Sequence, residues 1–488
     1  MRLMYINGEF TQGSSSEEFE VTNPATEEVL DTVPRATIQD VDAAVRSSHE
    51  AFKSWRKMGA NERTSLLHEV ASRVRRHRGE LIRLLTLEEG KPIAENDEEL
   101  EWVANTFDYY AELGRHDRGR VIPPGEASQF NFILKEPYGV VACIVPWNYP
   151  LLLMAWKVAP ALAAGNTVII KPSELTPLTT LYMAEHCFDV LPAGVVNVLT
   201  GFGVEAGEPL VKHPDVPVIA FTGSLSTGQR IASHAAPMMK KLHLELGGKD
   251  ATVIAEDADP ELAAKAVAYA ALLNTGQVCT STERVYIPRP RAKQFTEAIV
   301  EHIKSLRLGS GLEPATDVGP MIGDSYRSKI ERHVEDARSR GAQVLTGGKR
   351  PKDLAKGWFY EPTVLTGVDH SMLIMREETF GPAVPLMEYT SFEEAIDLVN
   401  DSPYGLGAVL LSEDPKKIKT FFEDVKAGTI WINDPLTDNY AGPFGGMKYS
   451  GGARELGIEG LDEFRETKHV HWDFHLEDKS YWYPYGRN

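Results

Sequence analysis

Residues 138–172 read YGVVACIVPWNYPLLLMAWKVAPALAAGNTVIIKP, and their apolar pattern decides the fold class. A short run rich in Val and Ile, GVVACIVP, precedes an alanine-rich stretch of helical length (Leu151–Ala164), and NTVIIKP follows as a second short run. Apolar runs without alternation, separated by helices, are typical of parallel strands that are buried on both faces. The segment therefore predicts a strand–helix–strand unit of an α/β fold.

The same alternation continues along the chain in two series. The first adds a helix over Thr179–Asp189 and the runs VVNVLTG and VPVIAFTG, and the second begins near Asp250 with the runs ATVI, RVYI, AQVLT, AVPLMEY, AVLL and TIWIN. Residues 36–120 have helical periodicity, for instance over Asp40–Met58 and Ala60–Arg78, and predict a covering helical layer. We expect two Rossmann-like open-sheet lobes, joined near Glu245–Lys249.

Two segments, Gln129–Leu134 and Thr467–Phe474, alternate polar and apolar residues instead. This pattern predicts antiparallel strands outside both lobes, which pair with each other or with a neighbouring subunit as a small oligomerisation flap. Six aromatic residues lie between Trp472 and Tyr485, and we expect this tail to dock on its own subunit or on a neighbour. The predicted domains are a nucleotide-binding domain (1–117 and 138–246), a catalytic domain (247–448) and the flap with its tail (118–137 and 449–488).

Composition excludes several classes of protein. The 488 residues have a net charge of −19 and 42% hydrophobic residues, which predicts a folded chain and disfavours nucleic acid as a partner. Three cysteines cannot build a disulfide framework, and their spacing matches no metal motif. No apolar run is long enough to span a bilayer, and the polar N-terminus argues against a secretory signal. We therefore expect a cytoplasmic protein without a metal.

Three residues are candidates for chemistry on their local context alone. Cys279 follows a Gly-bearing turn before a strand, where a thiolate would be a strong nucleophile, although a lone cysteine is most often a small buried hydrophobe. Glu245 ends a strand before two glycines, which suits a carboxylate in a cleft as well as it suits a solvated loop. Asn148 lies between Pro146 and Pro150, which favours donation by its amide to something non-local.

Seven motifs occur together in the order PWNYP, KPSE, FTGSLSTG, LELGGK, GQVC, EETFGP and PFGGMKYSG. With them the chain resembles the non-acylating branch of the aldehyde dehydrogenase superfamily over nearly its whole length. The resemblance implies that Cys279 attacks an aldehyde carbonyl, that Asn148 and the Cys279 N–H hold the oxyanion, and that Glu245 activates the water that hydrolyses the thioester. It also implies a homodimer or homotetramer.

The resemblance implies an NAD cofactor, although the usual dinucleotide motif GxGxxG is missing after the first strand. The implied contacts are Trp147, Lys171, Ser173, Glu174, Gly203, Gly223, Ser224, Leu246, Glu378 and Phe380. Glu174 would repel a 2′-phosphate and accept hydrogen bonds from a free ribose, so NAD is expected over NADP, with NADP as a weaker alternative.

The implied aldehyde-binding positions are Tyr149, Trp156, Leu273 and Phe444, of which three are aromatic and none is charged. They predict a broad preference for apolar aldehydes, whether aliphatic, aromatic or isoprenoid. Betaine aldehyde is the alternative, because aromatic rings can surround a quaternary ammonium group. Two alternatives of another class are a non-catalytic structural protein and an esterase that uses Cys279 and Glu245 without a cofactor.

Overall fold

The computed structural model describes residues 2–116, 119–483 and 485. The predicted domain boundary at residues 117 and 118 and the tail residues 484 and 486–488 lie outside the described residues. The strands are β1 (Met4–Ile6), β2 (Glu9–Thr11), β3 (Glu18–Thr22), β4 (Val29–Pro34), β5 (Val121–Ile122), β6 (Gln129–Pro137), β7 (Val140–Ile144), β8 (Thr167–Lys171), β9 (Val196–Val198), β10 (Val218–Gly223), β11 (Lys241–Leu246), β12 (Asp250–Ile254), β13 (Thr282–Pro288), β14 (Gln343–Thr346), β15 (Thr363–Thr366), β16 (Ala383–Tyr389), β17 (Tyr404–Gly405), β18 (Gly407–Leu411), β19 (Thr429–Ile432), β20 (Met447–Lys448) and β21 (Arg465–Asp473).

The helices cover the sheets, and α1 to α4 lie consecutively between Ile38 and Leu113. They are α1 (Ile38–Trp55), α2 (Ala60–Arg76), α3 (Arg78–Glu89), α4 (Ile93–Leu113), α5 (Pro150–Ala164), α6 (Leu178–His186), α7 (Glu208–Lys212), α8 (Leu225–Ala235), α9 (Pro260–Leu272), α10 (Ala292–Ser305), α11 (Asp324–Ser339), α12 (Leu373–Arg376), α13 (Phe392–Asn400), α14 (Pro415–Asp424) and α15 (Gly457–Asp462).

Two open sheets form the two predicted lobes. Among the described residues the first sheet has the strand order β11-β10-β7-β8-β9-β1-β2, in which β11 to β9 are parallel and the two N-terminal strands are antiparallel additions. The second has the order β14-β15-β16-β13-β12-β18-β19 and is parallel except at β14. The predicted α/β class with two Rossmann-like lobes is confirmed. The domain boundaries stay predictions, with β11 ending at Leu246 and β12 beginning at Asp250.

The central helix α5 shows how the sequence sets these elements. Pro150 occupies its first turn, where a missing N–H costs nothing, and Gly165 ends it with φ 99°, a left-handed conformation that glycine adopts freely. Nearly every side chain of α5 is buried, because the helix is covered by α4 on one side and by the first sheet on the other. The Asn148 loop is therefore held between a buried strand, β7, and a buried helix.

The two lobes contribute opposite ends of their strands to the space between them. From the first sheet come residues that follow strands, such as Asn148 after β7 and Ser224 after β10. From the second sheet come residues that precede strands, with Cys279 before β13 and Phe380 before β16. The usual rule, that sites form at the carboxyl ends of parallel strands, therefore holds for the first lobe and not for the second.

The flap is the antiparallel sheet β21-β6-β5. Its strands β6 and β21 pair with each other over their full lengths, from Gln129 opposite Asp473 to Pro137 opposite Arg465. The first of the two predicted pairings is thus observed. The tail that follows leaves large apolar side chains exposed in the single chain, namely Trp472, Phe474, Leu476, Tyr481, Trp482, Tyr483 and Tyr485.

The remaining cysteines have structural positions. Cys143 lies in β7 as predicted, whereas Cys187 follows α6, which ends at His186 and not at Asp189. Both thiols are buried, and burial raises the pKa of each to about 12. Neither is suited to act as a nucleophile at neutral pH.

Candidate active site

Cys279 lies where two cavities meet between the lobes. The first, which we call the groove, has a volume of about 480 Å³, and the second, the narrow pocket, has a volume of about 90 Å³. Cys279 and Asn148 line both. A molecule in the narrow pocket and a molecule in the groove would therefore meet at the sulfur atom.

The side chain of Asn148 is buried and held in place. Its Nδ2 donates to the main-chain oxygen of Gln277, two residues before the nucleophile, at 2.9 Å. An amide nitrogen carries two hydrogens, so a second N–H of Asn148 is available to an oxygen atom bound beside Cys279. This is the geometry that stabilises an oxyanion on a carbon attached to the sulfur.

Burial and acidic neighbours set the protonation of Glu245 and Cys279. Burial, and then repulsion from Glu455, raises the pKa of Glu245 to about 8. Neither carboxylate oxygen of Glu245 has a hydrogen-bond partner among the described residues. Burial also raises the pKa of the Cys279 thiol, and the nearby Glu245 raises it further. A cation bound in the groove would favour the thiolate, since it offsets this acidic surrounding.

A buried ion pair lies behind Glu245. Lys157 pairs with Glu455 and donates to Thr222 Oγ1 at 2.6 Å, while His243 Nε2 lies 3.1 Å from Glu455 Oε1. All four side chains are buried. Sequence reasoning missed this network, because Glu455 lies more than 200 residues from its partners and no local pattern links them.

The groove is lined by every residue for which a cofactor contact was expected: Trp147, Lys171, Ser173, Glu174, Gly203, Gly223, Ser224, Leu246, Glu378 and Phe380. Ser224 caps α8, and the free N–H groups at the start of this helix suit a pyrophosphate. At Gly247, an added Cβ would lie 2.4 Å from Glu378 Oε1, so a side chain there would disturb the groove wall. The donors and the shape fit a dinucleotide.

The loop that carries Glu378 and Phe380 is fixed from beneath by Glu283, which sequence reasoning missed. Its carboxylate accepts from the main-chain N–H groups of Thr379 and Phe380 at 2.7 and 2.6 Å and from Lys249 Nζ at 2.6 Å. Phe380 has a φ of 57°, which is unusual for an aromatic residue, and these bonds hold it there. Burial raises the pKa of Glu378 to about 7.

The far end of the groove contains the KPSE residues. Lys171 Nζ lies 3.3 Å from Glu174 Oε2, with the lysine buried and the glutamate partly exposed. Tyr326 and Lys329 of α11 also line the groove, and Trp147 Nε1 donates to Tyr326 Oη at 3.1 Å. The sequence did not predict that Tyr326 and Lys329 line the groove, because their spacing is that of ordinary residues on an amphipathic helix.

The narrow pocket is lined by all four expected substrate positions, Tyr149, Trp156, Leu273 and Phe444, together with the aromatic residues Trp102 and Tyr269. The four positions gave no hint of charge, yet the same lining contains the carboxylates of Glu95, Glu98, Glu99 and Asp438. Among the described residues that line it there is no lysine or arginine. The four expected positions thus line the pocket, and the lining also contains acidic residues that they did not predict.

These four carboxylates differ in whether they already have hydrogen-bond or ion-pair partners within the protein. Glu99 is buried against Lys91 and accepts from the N–H groups of Leu151 and Leu152 at 3.1 and 2.9 Å. Glu95 accepts from Asn274 N at 2.8 Å, and burial raises its pKa to about 8. Within the described part of the chain, Glu98 and Asp438 have no ion-pair partner. Burial alone raises the pKa of Asp438 to about 7.

Comparison with known proteins shows the family of this chain. The model of the aldehyde dehydrogenase family matches residues 10–470. The chain belongs to the aldehyde dehydrogenase family. It is 41% identical over 479 residues to a chloroplastic aminoaldehyde dehydrogenase of Arabidopsis thaliana (96% of this chain and 95% of that one) and 40% identical over 478 residues to betaine aldehyde dehydrogenase 1 of rice, with the same coverage.

A solved structure supports the cofactor. The betaine aldehyde dehydrogenase of Staphylococcus aureus in complex with NAD+ matches this aldehyde dehydrogenase with a TM-score of 0.96 and 38% identity, over 99% of this chain and 96% of that one. The protein is an NAD-dependent aldehyde dehydrogenase, which disfavours both alternatives of another class. The cytoplasmic location and the oligomeric state stay predictions.

The described residues contain neither a candidate membrane span nor a candidate metal site. Residues 2–116, 119–483 and 485 contain no helix that is both long and apolar enough to cross a membrane. Within the same part of the chain, no group of three or more His, Cys, Asp or Glu side chains could hold a metal ion.

Proposed function

We propose that this aldehyde dehydrogenase oxidises aldehydes that carry a primary ammonium group, with Cys279 as nucleophile, Asn148 in the oxyanion hole and Glu245 as general base. The Cys279 thiolate adds to the carbonyl carbon, and the oxygen becomes an oxyanion that the Asn148 side chain and the Cys279 N–H stabilise. The bound NAD+ supplies the hydride acceptor. Loss of hydride from the adduct leaves a thioester on Cys279.

Glu245 completes the cycle in this proposal. Its carboxylate takes a proton from a water molecule, the oxygen of that water attacks the thioester carbon, and the C–S bond breaks to release a carboxylic acid. A pKa raised by burial suits this task, because a stronger base near neutral pH removes a proton more readily. The single observation that carries the mechanism is the position of Cys279 at the junction of the groove and the narrow pocket.

The charge of the narrow pocket supports an ammonium-bearing substrate. An isolated carboxylate that loses water is costly, and a bound cation offsets that cost. Asp438 is such a carboxylate, and Glu98 adds a second negative charge. The names of the aminoaldehyde dehydrogenase relatives agree with this choice over the apolar aldehydes expected from the sequence.

Hydrogen bonding favours a primary ammonium over a trimethylammonium group. A carboxylate accepts hydrogen bonds, which an –NH₃⁺ group donates and a quaternary ammonium does not. Lys91 Nζ already lies 3.7 Å from the centre of the Tyr149 ring, so that ring is a weaker partner for a second cation. Betaine aldehyde remains the second candidate, favoured by the aromatic rings of the lining.

The test compares substrates that differ only in charge. 3-Aminopropanal and butanal have equal numbers of heavy atoms, as have betaine aldehyde and 3,3-dimethylbutanal, so each pair isolates the cationic centre. We expect kcat/KM for 3-aminopropanal to exceed that for butanal by at least about 10-fold, the value of one charged hydrogen bond. We expect a smaller ratio for the betaine aldehyde pair.

A variant of the narrow pocket and a matched control test whether the pocket causes the preference for 3-aminopropanal over butanal. Glu98→Gln should lower the 3-aminopropanal to butanal ratio by about 2- to 5-fold, as for an exposed ion pair. Asp97→Asn is the matched control, because Asp97 is next in sequence and pairs with Arg78 on the surface. Equal kcat/KM values for the two aldehydes in the parent enzyme would refute the proposed substrate, while NADH formation would still support the mechanism.

A further inference from the structure

A buried polar cluster lies behind the Asn148 loop and takes no part in the chemistry proposed so far. Glu89, Lys91, Glu99 and Asn274 are all buried. Lys91 Nζ lies 3.3 Å from Glu89 and also contacts Glu99, while its ammonium group faces the Tyr149 ring. Burying this many charges is costly compared with an apolar core, so the cluster calls for an explanation beyond stability.

The turn before the nucleophile has a strained backbone. Asn274, Thr275 and Gly276 have consecutive φ angles of 47°, 60° and 72°. Asparagine tolerates this left-handed region, but a β-branched threonine rarely adopts it. The turn persists because other bonds fix it, including Thr275 Oγ1 to Gly319 O at 3.1 Å and Gln277 Nε2 to Asn274 O at 3.0 Å.

Two asparagines join this turn to the Asn148 loop by exchanging hydrogen bonds. Asn148 Nδ2 donates to the oxygen of Gln277 at 2.9 Å, and Asn274 Nδ2 donates to the oxygen of Asn148 at 2.8 Å. The first bond aims the side chain of Asn148, and the second fixes the backbone from which that side chain extends. Two hydrogen bonds therefore tie the nucleophile loop to the oxyanion loop.

Asn274 is in turn held by two carboxylates from the N-terminal helices. Its Nδ2 also donates to Glu89 Oε1 at 3.0 Å, and its main-chain N–H donates to Glu95 Oε2 at 2.8 Å. Glu89 has no exposed surface, and Lys91 supplies its counter-charge. Of these two carboxylates, Glu95 also lines the narrow pocket, whereas Glu89 lines neither cavity.

We propose that Asn274, held by Glu89, is a positioning residue that acts through Asn148 to aim the oxyanion hole. The inference rests on the roles proposed for Cys279 and Asn148. An oxyanion hole stabilises the transition state only when its donor is fixed where the charge develops, and a misplacement of about 1 Å can cost about 100-fold in rate. Removing the Asn274 amide frees the Asn148 loop without touching the reacting atoms.

The experiment is a double-mutant cycle of Asn148→Ala and Asn274→Ala. The measured quantities are kcat for butanal at saturating NAD+, the rate of 4-nitrophenyl acetate hydrolysis without cofactor, and the rate of Cys279 alkylation by iodoacetamide. Dehydrogenation and ester hydrolysis both form an oxyanion beside the sulfur, whereas alkylation forms none. Asn197→Ala is the matched control, because Asn197 is an equally buried amide in β9 that bonds Ser48 and Gly194 far from the groove.

We expect Asn274→Ala to lower kcat and ester hydrolysis together by about 10- to 100-fold, and Asn148→Ala to lower both by about 10²–10³-fold. In the Asn148→Ala background, Asn274→Ala should cost less than about 2-fold, because a residue that acts through Asn148 has nothing left to aim. Alkylation should stay within about 2-fold. The Asn197→Ala enzyme should keep its kcat.

Three results would overturn the inference. Losses that multiply in the double variant would show that Asn274 acts independently of Asn148, and a parallel fall in alkylation would show that it merely supports the Cys279 loop. If Asn274→Ala does not fold, two Glu89 variants test the same inference. Glu89→Gln keeps an acceptor oxygen for the Asn274 amide and should retain most of kcat, whereas Glu89→Ala removes that acceptor and should lower kcat. An Asn148→Ala enzyme with full kcat would end the inference, while the role of Cys279 would be judged separately by Cys279→Ala.

Discussion

The two cavities that meet at Cys279 are built in different ways. The groove is lined mainly by residues at strand ends and helix starts, in short contiguous motifs such as KPSE and FTGS. The narrow pocket draws its charged residues from α4 and from the loop around Asp438, more than 300 residues apart. The groove presents a surface suited to one dinucleotide, whereas the pocket combines distant side chains that together select an aldehyde.

The largest effect is expected from the variant that removes the residue shared by the two cavities. Cys279→Ala removes the atom that both share, and we expect a loss in kcat on the order of 10⁴-fold or more with every aldehyde, because no other group forms the adduct. NADH absorbance measures the loss, and intrinsic fluorescence should show that NAD+ still binds. Turnover within about 10-fold of the parent enzyme would contradict the role of Cys279.

A second change affects the narrow pocket alone. Asp438→Asn keeps the shape of the side chain and removes its charge, so we expect kcat/KM for 3-aminopropanal to fall by about 10- to 100-fold, the value of a charged hydrogen bond. The value for butanal and the KM for NAD+ should stay the same. A fall that is equal for both aldehydes would mean that Asp438 supports the fold of its loop and does not select charge.

A third change affects the groove alone. Glu174→Ala removes the carboxylate expected to repel a 2′-phosphate, and Lys171 remains beside the vacated position. We expect the ratio of kcat/KM for NADP+ to that for NAD+ to rise by about 10-fold, because one like-charge contact is removed. The preference for 3-aminopropanal over butanal should not change. An unaltered coenzyme ratio would place the 2′-position away from Glu174.

The smallest expected effect is a pH dependence specific to the narrow pocket. The pKa of Asp438 is raised to about 7, so its carboxylate gains charge as the pH rises through about 7. The ratio of kcat/KM for 3-aminopropanal to that for butanal should therefore rise severalfold from about pH 6 to about pH 8. Ionisation of Glu245 affects both aldehydes and cancels in the ratio. In Asp438→Asn this rise should be reduced, and a flat ratio in the parent enzyme would argue against the assignment.

The contrast between contiguous motifs in the groove and distant residues in the narrow pocket also explains which features the sequence could predict. The α/β class and the two lobes follow from local patterns, since a Val-rich run has its structural meaning within a few residues. The groove residues were implied by the resemblance to the aldehyde dehydrogenase superfamily, which rests on short contiguous motifs. The flap followed as well, because the alternation over Gln129–Leu134 and Thr467–Phe474 is local.

Local sequence patterns could not predict the acidic character of the narrow pocket. Glu95, Glu98 and Glu99 lie on a helix whose acidic face resembles an ordinary solvated surface, and only the fold brings it against Tyr149 and Asp438. The positioning role of Asn274 depends in the same way on Glu89, 185 residues away. Residues that act through tertiary contacts leave no local signal.

The covalent intermediate gives the most direct test of the account. Glu245→Gln removes the general base proposed to clear the thioester, so mixing this variant with NAD+ and butanal should release about one NADH per active site and then slow by about 10²–10⁴-fold. Rapid quenching and peptide mass analysis should then find Cys279 carrying a butanoyl group. An enzyme that turns over at the parent rate, or an acyl group on any other residue, would contradict the account.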